Sequence, residues 1–339
     1  AGLSFTPWFV SDAIVLPEDQ AVVGLGMFEA RVALDLERLL GWSGLSLELA
    51  PLFLFGDAPS GRLGGLQAID NIEAMNGVSL FEGFLRARYG PVKVEFGFID
   101  LNRLIDVLPR AELFIHSTAG YGAVLGNLRP NGGLSFPTTS LTLAGVLELE
   151  SWTASLLIAD GIPGQSTEIA DTPVRPPRTS LRLGGRDGVL AVAELAWTGW
   201  GKWALGGWAS STNYGRERQT GGGGGWIGFG LPLLPRRDRF QGATLFFRAG
   251  LGTPDASIFE AELGGGLVFD GVIWRSDAVG VAAFGARGSE VDRWETAYEL
   301  TYRARLIPGL AVQPFLTWIN QPLQGDSSLA VGARLDLHP

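Results

Sequence analysis

The sequence predicts an all-β chain, a transmembrane antiparallel β-barrel of about sixteen strands with short turns on one rim and long loops on the other. Three observations carry that prediction. Segments of about ten residues alternate apolar with charged or polar residues from one end of the chain to the other, and a strand has a period of two. Hydrophobic residues make up 46% and charged residues 18%, against about 25% charged in soluble domains, yet no run reaches the roughly 20 apolar residues of a membrane helix. The links between segments alternate between short and long.

The candidate strands run in order. After 3–10 comes 29–37, where Ala30, Val32, Leu34 and Leu36 alternate with Glu29, Arg31, Asp35 and Glu37. Strand 44–54 precedes 79–90, which sets Phe81, Leu85 and Tyr89 against Glu82, Arg86 and Arg88. In 92–98 Val92, Val94, Phe96 and Phe98 oppose Lys93 and Glu95. In 141–150 Leu141, Leu143, Leu147 and Leu149 oppose Thr142, Glu148 and Glu150. Segments 152–159, 179–185, 189–198, 203–212 and 242–251 follow. In 257–269 Phe259, Ala261, Leu263, Leu267 and Phe269 oppose Glu260 and Glu262. After 279–287, segment 295–305 places Tyr298, Leu300, Tyr302 and Ala304 on one side and Glu299, Thr301, Arg303 and Arg305 on the other. Strand 310–319 and the last, 328–337, complete the set; the latter opposes Leu329, Val331, Ala333, Leu335 and Leu337 to Arg334 and Asp336.

Short links fall at 89–91, 198–202 and 307–309, and long ones at 55–77, 99–139, 160–178 and 213–241. The stretch 98–108 carries a short helical turn inside the longest loop. No linker divides the chain, so 1–339 reads as a single barrel domain. A β-propeller is the alternative, but no blade signature recurs at a fixed period.

Alternation alone does not say which face meets lipid. Arg or Lys facing lipid costs about 2–4 kcal/mol at the bilayer midplane. A barrel of this size holds water, where charge stays hydrated. The charged faces therefore point inward and the Tyr298/Tyr302 face outward. Trp8, Trp42, Tyr89, Trp152, Trp197, Trp200, Trp203, Trp226, Trp294 and Trp318 lie near strand ends, as an interfacial aromatic belt requires; core aromatics of a soluble β protein are the alternative reading.

Several functions are excluded or weakened. A net charge of −9 argues against nucleic acid. With no cysteine there is no disulfide, thiolate metal site or cysteine nucleophile. The two histidines, His116 and His338, have no evident ligand partner, so no metal or cofactor is expected. The 100–106 stretch lacks the Gly and terminal Glu of a calcium loop. The 220–225 glycine run lacks the Lys of a phosphate loop and reads as a loop or a kinked strand. No catalytic triad is legible, so no enzyme is expected. The first residue is Ala rather than Met, which reads as a mature chain after leader removal.

The motifs GGLQAIDNIEA (64–74), LFEGFLRARYG (80–90), VKVEFGFIDLN (92–102), LFIHSTAGYGAVLG (113–126), NGGLSFPTTSL (131–141) and IADGIPG (158–164) together resemble the carbohydrate-selective, OprB-like porins of Gram-negative outer membranes. The likeness continues more loosely through 245–250, 298–322 and 330–337 and is weakest over 186–241. It implies a monomeric barrel of about sixteen strands, in which long extracellular loops fold inward and sugars pass by diffusion. The matched motifs carry Asn71, Glu73, Glu82, Arg86, Arg88, Asp100, Asn102 and His116, with Glu299 and Arg303 from the late motif, as candidate solute-contacting residues. Arg offers a fixed fork of donors and carboxylates accept, which suits sugar hydroxyls. The implied partners are mono- or oligosaccharides, outer-membrane lipid and lipopolysaccharide, and a protein of the envelope. The alternatives are a structural or assembly-partner barrel with little transport, and a general or anion nutrient porin. The chain departs from the usual outer-membrane pattern at its end, LDLHP, which lacks a terminal aromatic.

Overall fold

The computed structural model describes residues 2–129, 132–161, 179, 188–211, 221–234, 241–291, 293–320 and 327–339. Its strands are β1 (Leu3–Leu16), β2 (Ala21–Asp35), β3 (Leu45–Gly56), β4 (Gly77–Tyr89), β5 (Val92–Ile99), β6 (Ser140–Glu148), β7 (Trp152–Asp160) and β8 (Val189–Trp197) in the first half. The second half holds β9 (Lys202–Ser210), β10 (Gly222–Leu234), β11 (Gly242–Gly252), β12 (Phe259–Asp270), β13 (Asp277–Gly288), β14 (Trp294–Ile307), β15 (Leu310–Asn320) and β16 (Ser327–Leu337). Each pairs antiparallel with its sequence neighbours, and β1 pairs with β16, so the sheet closes with no free edge. Closure is what lipid demands, because an unpaired backbone amide in hydrocarbon costs several kcal/mol.

The face assignment follows the alternation. Tyr298, Leu300 and Trp318 are half-exposed on the outer surface, and Tyr298 stacks on Trp318 across β14 and β15 with ring centroids 5.3 Å apart. Between them in sequence, Glu299 points inward and is buried. Fifteen of the expected strands have a counterpart among these sixteen. The expected strand 179–185 lies largely outside the described residues. The link expected at 213–241 instead contains β10, whose opening Gly222–Gly225 pairs with β9 and β11. Glycine has no side chain to show a period of two, which is why the alternation fails there.

Two irregularities turn an aromatic ring from the expected outer face to the lumen. In β4, Glu82 pairs with Ala50 and Leu80 with Pro51, so Phe81 is an extra residue and is buried inside. A bulge inserts one residue and resets the phase of everything after it. The same shift between Phe259 and Ala261 turns Phe259 inward.

Among the described residues, two loops from the rim of long links occupy the lumen. Loop 100–139, which opens with a 3-10 turn at Leu101–Arg103, packs Leu101, Ile105, Tyr121, Val124 and Leu125 against inward Leu157, Val192, Trp226 and Phe259. Further on, Leu108, Leu113 and Phe114 meet Phe246, Val268 and Phe284. Loop 57–76 packs Leu63, Ile69, Ile72 and Ala74 near Val10, Ile14, Leu25 and Leu52. Each buried large side chain contributes about 1.5–3 kcal/mol, so these loops are held as parts of the core.

Inward glycines make that contact possible. A Cβ on Gly280 would lie 2.7 Å from the Phe114 ring, and one on Gly230 would lie 2.6 Å from Pro109. Gly280→Val should therefore push the 108–114 segment off the wall. The expected result is a larger, noisier single-channel conductance in planar bilayers and about 1–3 kcal/mol lower stability to urea in detergent. Unchanged conductance would show that the segment does not limit the passage.

Candidate functional site

The site is built by carboxylates of the wall that grip the backbone of the loops. Glu299 accepts from the N–H groups of Ile115 and His116 at 2.8 and 2.9 Å. Glu295 accepts from Leu66 and Gln67 at 2.6 and 2.7 Å. Glu262 takes Val124 N–H at 2.9 Å, Glu194 takes Asp106 N–H at 2.7 Å, and Glu82 takes Asp100 N–H at 3.0 Å. These amides have left both water and sheet, so they need such partners. Arg248 serves the carbonyls: it donates to Thr118 O and Asp106 O at 2.8 Å and pairs with the Asp106 carboxylate at 2.8 Å.

A second knot ties loop 57–76 to the seam where the barrel closes. Arg334 of β16 donates to Asp12 of β1 at 2.7 Å, to Asp70 at 3.0 Å and to Asn71 Oδ1 at 2.8 Å. Burial, and then the nearby Asp12 carboxylate, push the Asp70 carboxyl well up. A third cluster lies on β2 to β5. There Arg31 reaches Glu29 and Glu82 at 3.0 and 2.8 Å, and Arg86 pairs with Glu48 and with Glu95, the latter at 2.7 Å. Arg103 from the loop joins Glu82 at 3.0 Å and Glu95 at 2.5 Å. Its guanidinium lies 4.5 Å from the centroid of the Phe84 ring, a cation–π contact.

What the loops leave open is a cavity of about 720 Å³ beside β1, β2 and β14 to β16. It runs from Asn71, Asn102, Tyr121 and Phe136 among the loops to Arg303, Arg305 and Gly309 at the rim of short links. Its surface mixes rings with donors and acceptors. Phe81 meets Phe136 edge-on at 6.0 Å, and Trp8 donates its indole N–H to Asp336 at 2.8 Å. Tyr121 donates to Gly133 O at 3.0 Å. Asn102 uses its amide on Gly120 O at 3.0 Å, and Arg303 pairs with Asp336.

Of the ten candidate residues, Asn71, Glu73, Asp100, Asn102 and Arg303 border this cavity. Glu82, Arg86, Arg88, His116 and Glu299 do not. Glu82 and Glu299 hold loop amides, Arg86 belongs to the β2 to β5 cluster, and Arg88 pairs with Glu148 at the rim. His116 is buried, with its ring stacked on Phe284 at 5.3 Å and Nδ1 2.9 Å from Thr118 Oγ1. Burial pushes its pKa down to about 3, so it stays neutral. Trp8, Phe81, Tyr121, Phe136 and Arg334 also border the cavity. Only a signal for the β4 bulge, which the sequence lacks, could have moved Phe81 to that side. No group of three or more potential metal ligands occurs among the described residues.

Glu73 shows how firmly the loop is held. It accepts from Ser60 N–H at 2.9 Å and from the Ser60 hydroxyl. Burial nevertheless pushes its pKa up to about 7. Asp100, half-buried, is pushed up to about 7 by desolvation and by the neighbouring Glu82.

Comparison with known proteins bears on the whole chain. The family model described as carbohydrate-selective porin, OprB family, matches residues 19–336. A high-pH structure of Pseudomonas putida OprB superposes with a TM-score of 0.81 at 15% identity, covering 100% of this chain and 94% of that one. The low-pH structure of the same protein gives 0.66 at 15% identity, over 100% and 93%. An anion-selective porin from Comamonas acidovorans gives 0.63 at 10% identity, over 99% and 100%. At these identities the likeness to the solved structures concerns the fold. No curated protein sequence matches closely enough to count as a relative.

Two outcomes test this geometry. Glu299→Ala strands two buried N–H groups, each worth about 1–3 kcal/mol. Urea unfolding in detergent should show that loss, and Glu299→Gln should lose less. A raised acid pKa stabilises the fold at low pH and is lost as pH climbs from 4.5 to about 7. Glu73→Gln should thus gain up to about 3 kcal/mol relative to the parent across that window, and an equal pH dependence in both proteins would contradict it.

Proposed function

The chain belongs to the carbohydrate-selective porin, OprB family, and on that premise we propose how its passage handles solutes. The protein is a multi-pass barrel of the Gram-negative outer membrane through which sugars pass by diffusion. Porins of this fold are channels rather than enzymes, and we read this chain as a single barrel domain with no catalytic role. The rim of short links is then periplasmic and the rim of long links extracellular.

The observation that carries the proposal is the composition of the cavity wall. Phe81 and Phe136 offer apolar ring faces to a pyranose, while Asn71, Asn102, Arg303 and Arg334 offer hydrogen bonds to its hydroxyls. Asp100 and Glu73 border the same space as acceptors or, when protonated, donors. Most of the charges are already paired within the wall. A neutral, hydroxyl-rich solute therefore exchanges water for protein groups without breaking an ion pair. Contacts of this strength let the solute leave again. Glu82, Arg86, Arg88, His116 and Glu299 act in this reading through the loops and walls they position. Lipid and lipopolysaccharide surround the outer face, where Leu205, Leu263 and Trp318 are exposed.

Single-channel conductance in planar bilayers, titrated with glucose, maltose and a sugar-free osmolyte of matched size, tests the reading. Sugar should block in a concentration-dependent way that the osmolyte does not reproduce. Losing one ring contact costs about 0.5–1.5 kcal/mol, so Phe81→Ala should raise the half-blocking concentration about two- to tenfold. Arg86→Ala and Glu82→Gln should weaken block only as far as they loosen the loop. Open conductance without block would make the protein a general porin. No conductance from folded, heat-modifiable protein would favour a structural or assembly role, with a partner in the envelope.

A further inference from the structure

We propose that the periplasmic mouth carries a second, oxoanion-binding pocket that recognises sugars bearing a carboxylate or phosphate. The inference rests on the sugar-channel reading and extends its range of solutes.

The pocket is a cavity of about 370 Å³ between the deepest turn of loop 100–139 and the periplasmic ends of β12 to β14. It adjoins the main passage, since Glu112, Arg303 and Arg305 border both. Its formal charges are Arg110, Arg275, Arg303 and Arg305 against Glu112, Asp270 and Asp277. The carboxylates are occupied. Asp270 takes the Arg110 guanidinium, and Glu112 lies 3.4 Å from the same group. Asp277 accepts the N–H groups of Val272, Ile273 and Trp274 at 2.7, 2.9 and 2.9 Å and the Tyr302 hydroxyl at 3.1 Å. Arg303 is held by Asp336, which stands outside the pocket. Arg275 and Arg305 are left with no carboxylate among the described residues.

Two guanidiniums without a carboxylate partner, in a lining of four arginines against three carboxylates, leave a pocket short of negative charge. Guanidinium presents a planar fork of donors that matches the oxygens of a carboxylate or phosphate. A free anion would bind on that chemistry alone. The shared border with the passage is what points to a sugar acid, whose ring can remain among the groups of the main cavity while its charged end turns aside.

Titration calorimetry on the detergent-solubilised full chain tests this without requiring conductance. Glucuronate should bind at least about fivefold more tightly than glucose. Arg275→Gln touches only the side pocket and should remove that preference while leaving glucose affinity unchanged; Arg305→Gln should also reduce it. In bilayers, glucuronate should block more strongly from the periplasmic side than from the extracellular side. Equal affinity for glucuronate and glucose, or a preference that survives Arg275→Gln, would overturn the proposal. So would inorganic phosphate binding as tightly as glucuronate, because the sugar ring would then contribute nothing. If sugar block in bilayers fails while the glucuronate preference and its loss in Arg275→Gln persist, the channel reading falls and the pocket stands.

Discussion

The lumen of this barrel is governed by the needs of buried backbone amides. Loops 57–76 and 100–139 leave the sheet and lie inside, where neither water nor a neighbouring strand satisfies their N–H groups. Five wall glutamates, Glu82, Glu194, Glu262, Glu295 and Glu299, supply the acceptors. Each is a directional carboxyl-to-amide hydrogen bond. Apolar packing fills the space between these points, but it is non-directional. The carboxylates fix where along the wall each segment sits, and so they fix which part of the lumen stays open.

That division explains how much could be read from sequence. The strands were legible because lipid on one side and polar groups on the other impose a period of two, as in 295–305. The phase was lost where a residue carries no side-chain signal, as in Gly222–Gly225, or where an inserted residue resets it, as at Phe81. The inward direction of Glu299 followed from the cost of charge in lipid. Its partners did not, because Ile115 and His116 lie far away in sequence and meet it only through the fold of loop 100–139. One clue was present: within segment 189–198, residues 189–197 are apolar on both faces apart from Glu194. A lumen wall in contact with water has no reason to be so, whereas one covered by a packed loop does.

The open passage is off-axis as a result. Loop 100–139 covers inward faces from β4 to β13, and the cavity survives along β1, β2 and β14 to β16. Charged side chains there answer one another, as Arg303 does with Asp336 and Arg334 with Asp70. Such a surface is strongly polar without a large net field, a suitable environment for a neutral polar solute. The imbalance at Arg275 and Arg305 lies at one mouth, beside the rim of short links.

Arg334 has a consequence for how the molecule is made. Its guanidinium bridges the first and last strands through Asp12 and, with the same donors, holds Asp70 and Asn71 of loop 57–76. The anchor for that loop is therefore complete only when both ends of the polypeptide have met. With the seam open the loop would lose this tie and keep its hold on Glu295 and its apolar contacts near Ile14, Leu25 and Leu52. The contact that closes the circle is thus also one of those that narrow the passage.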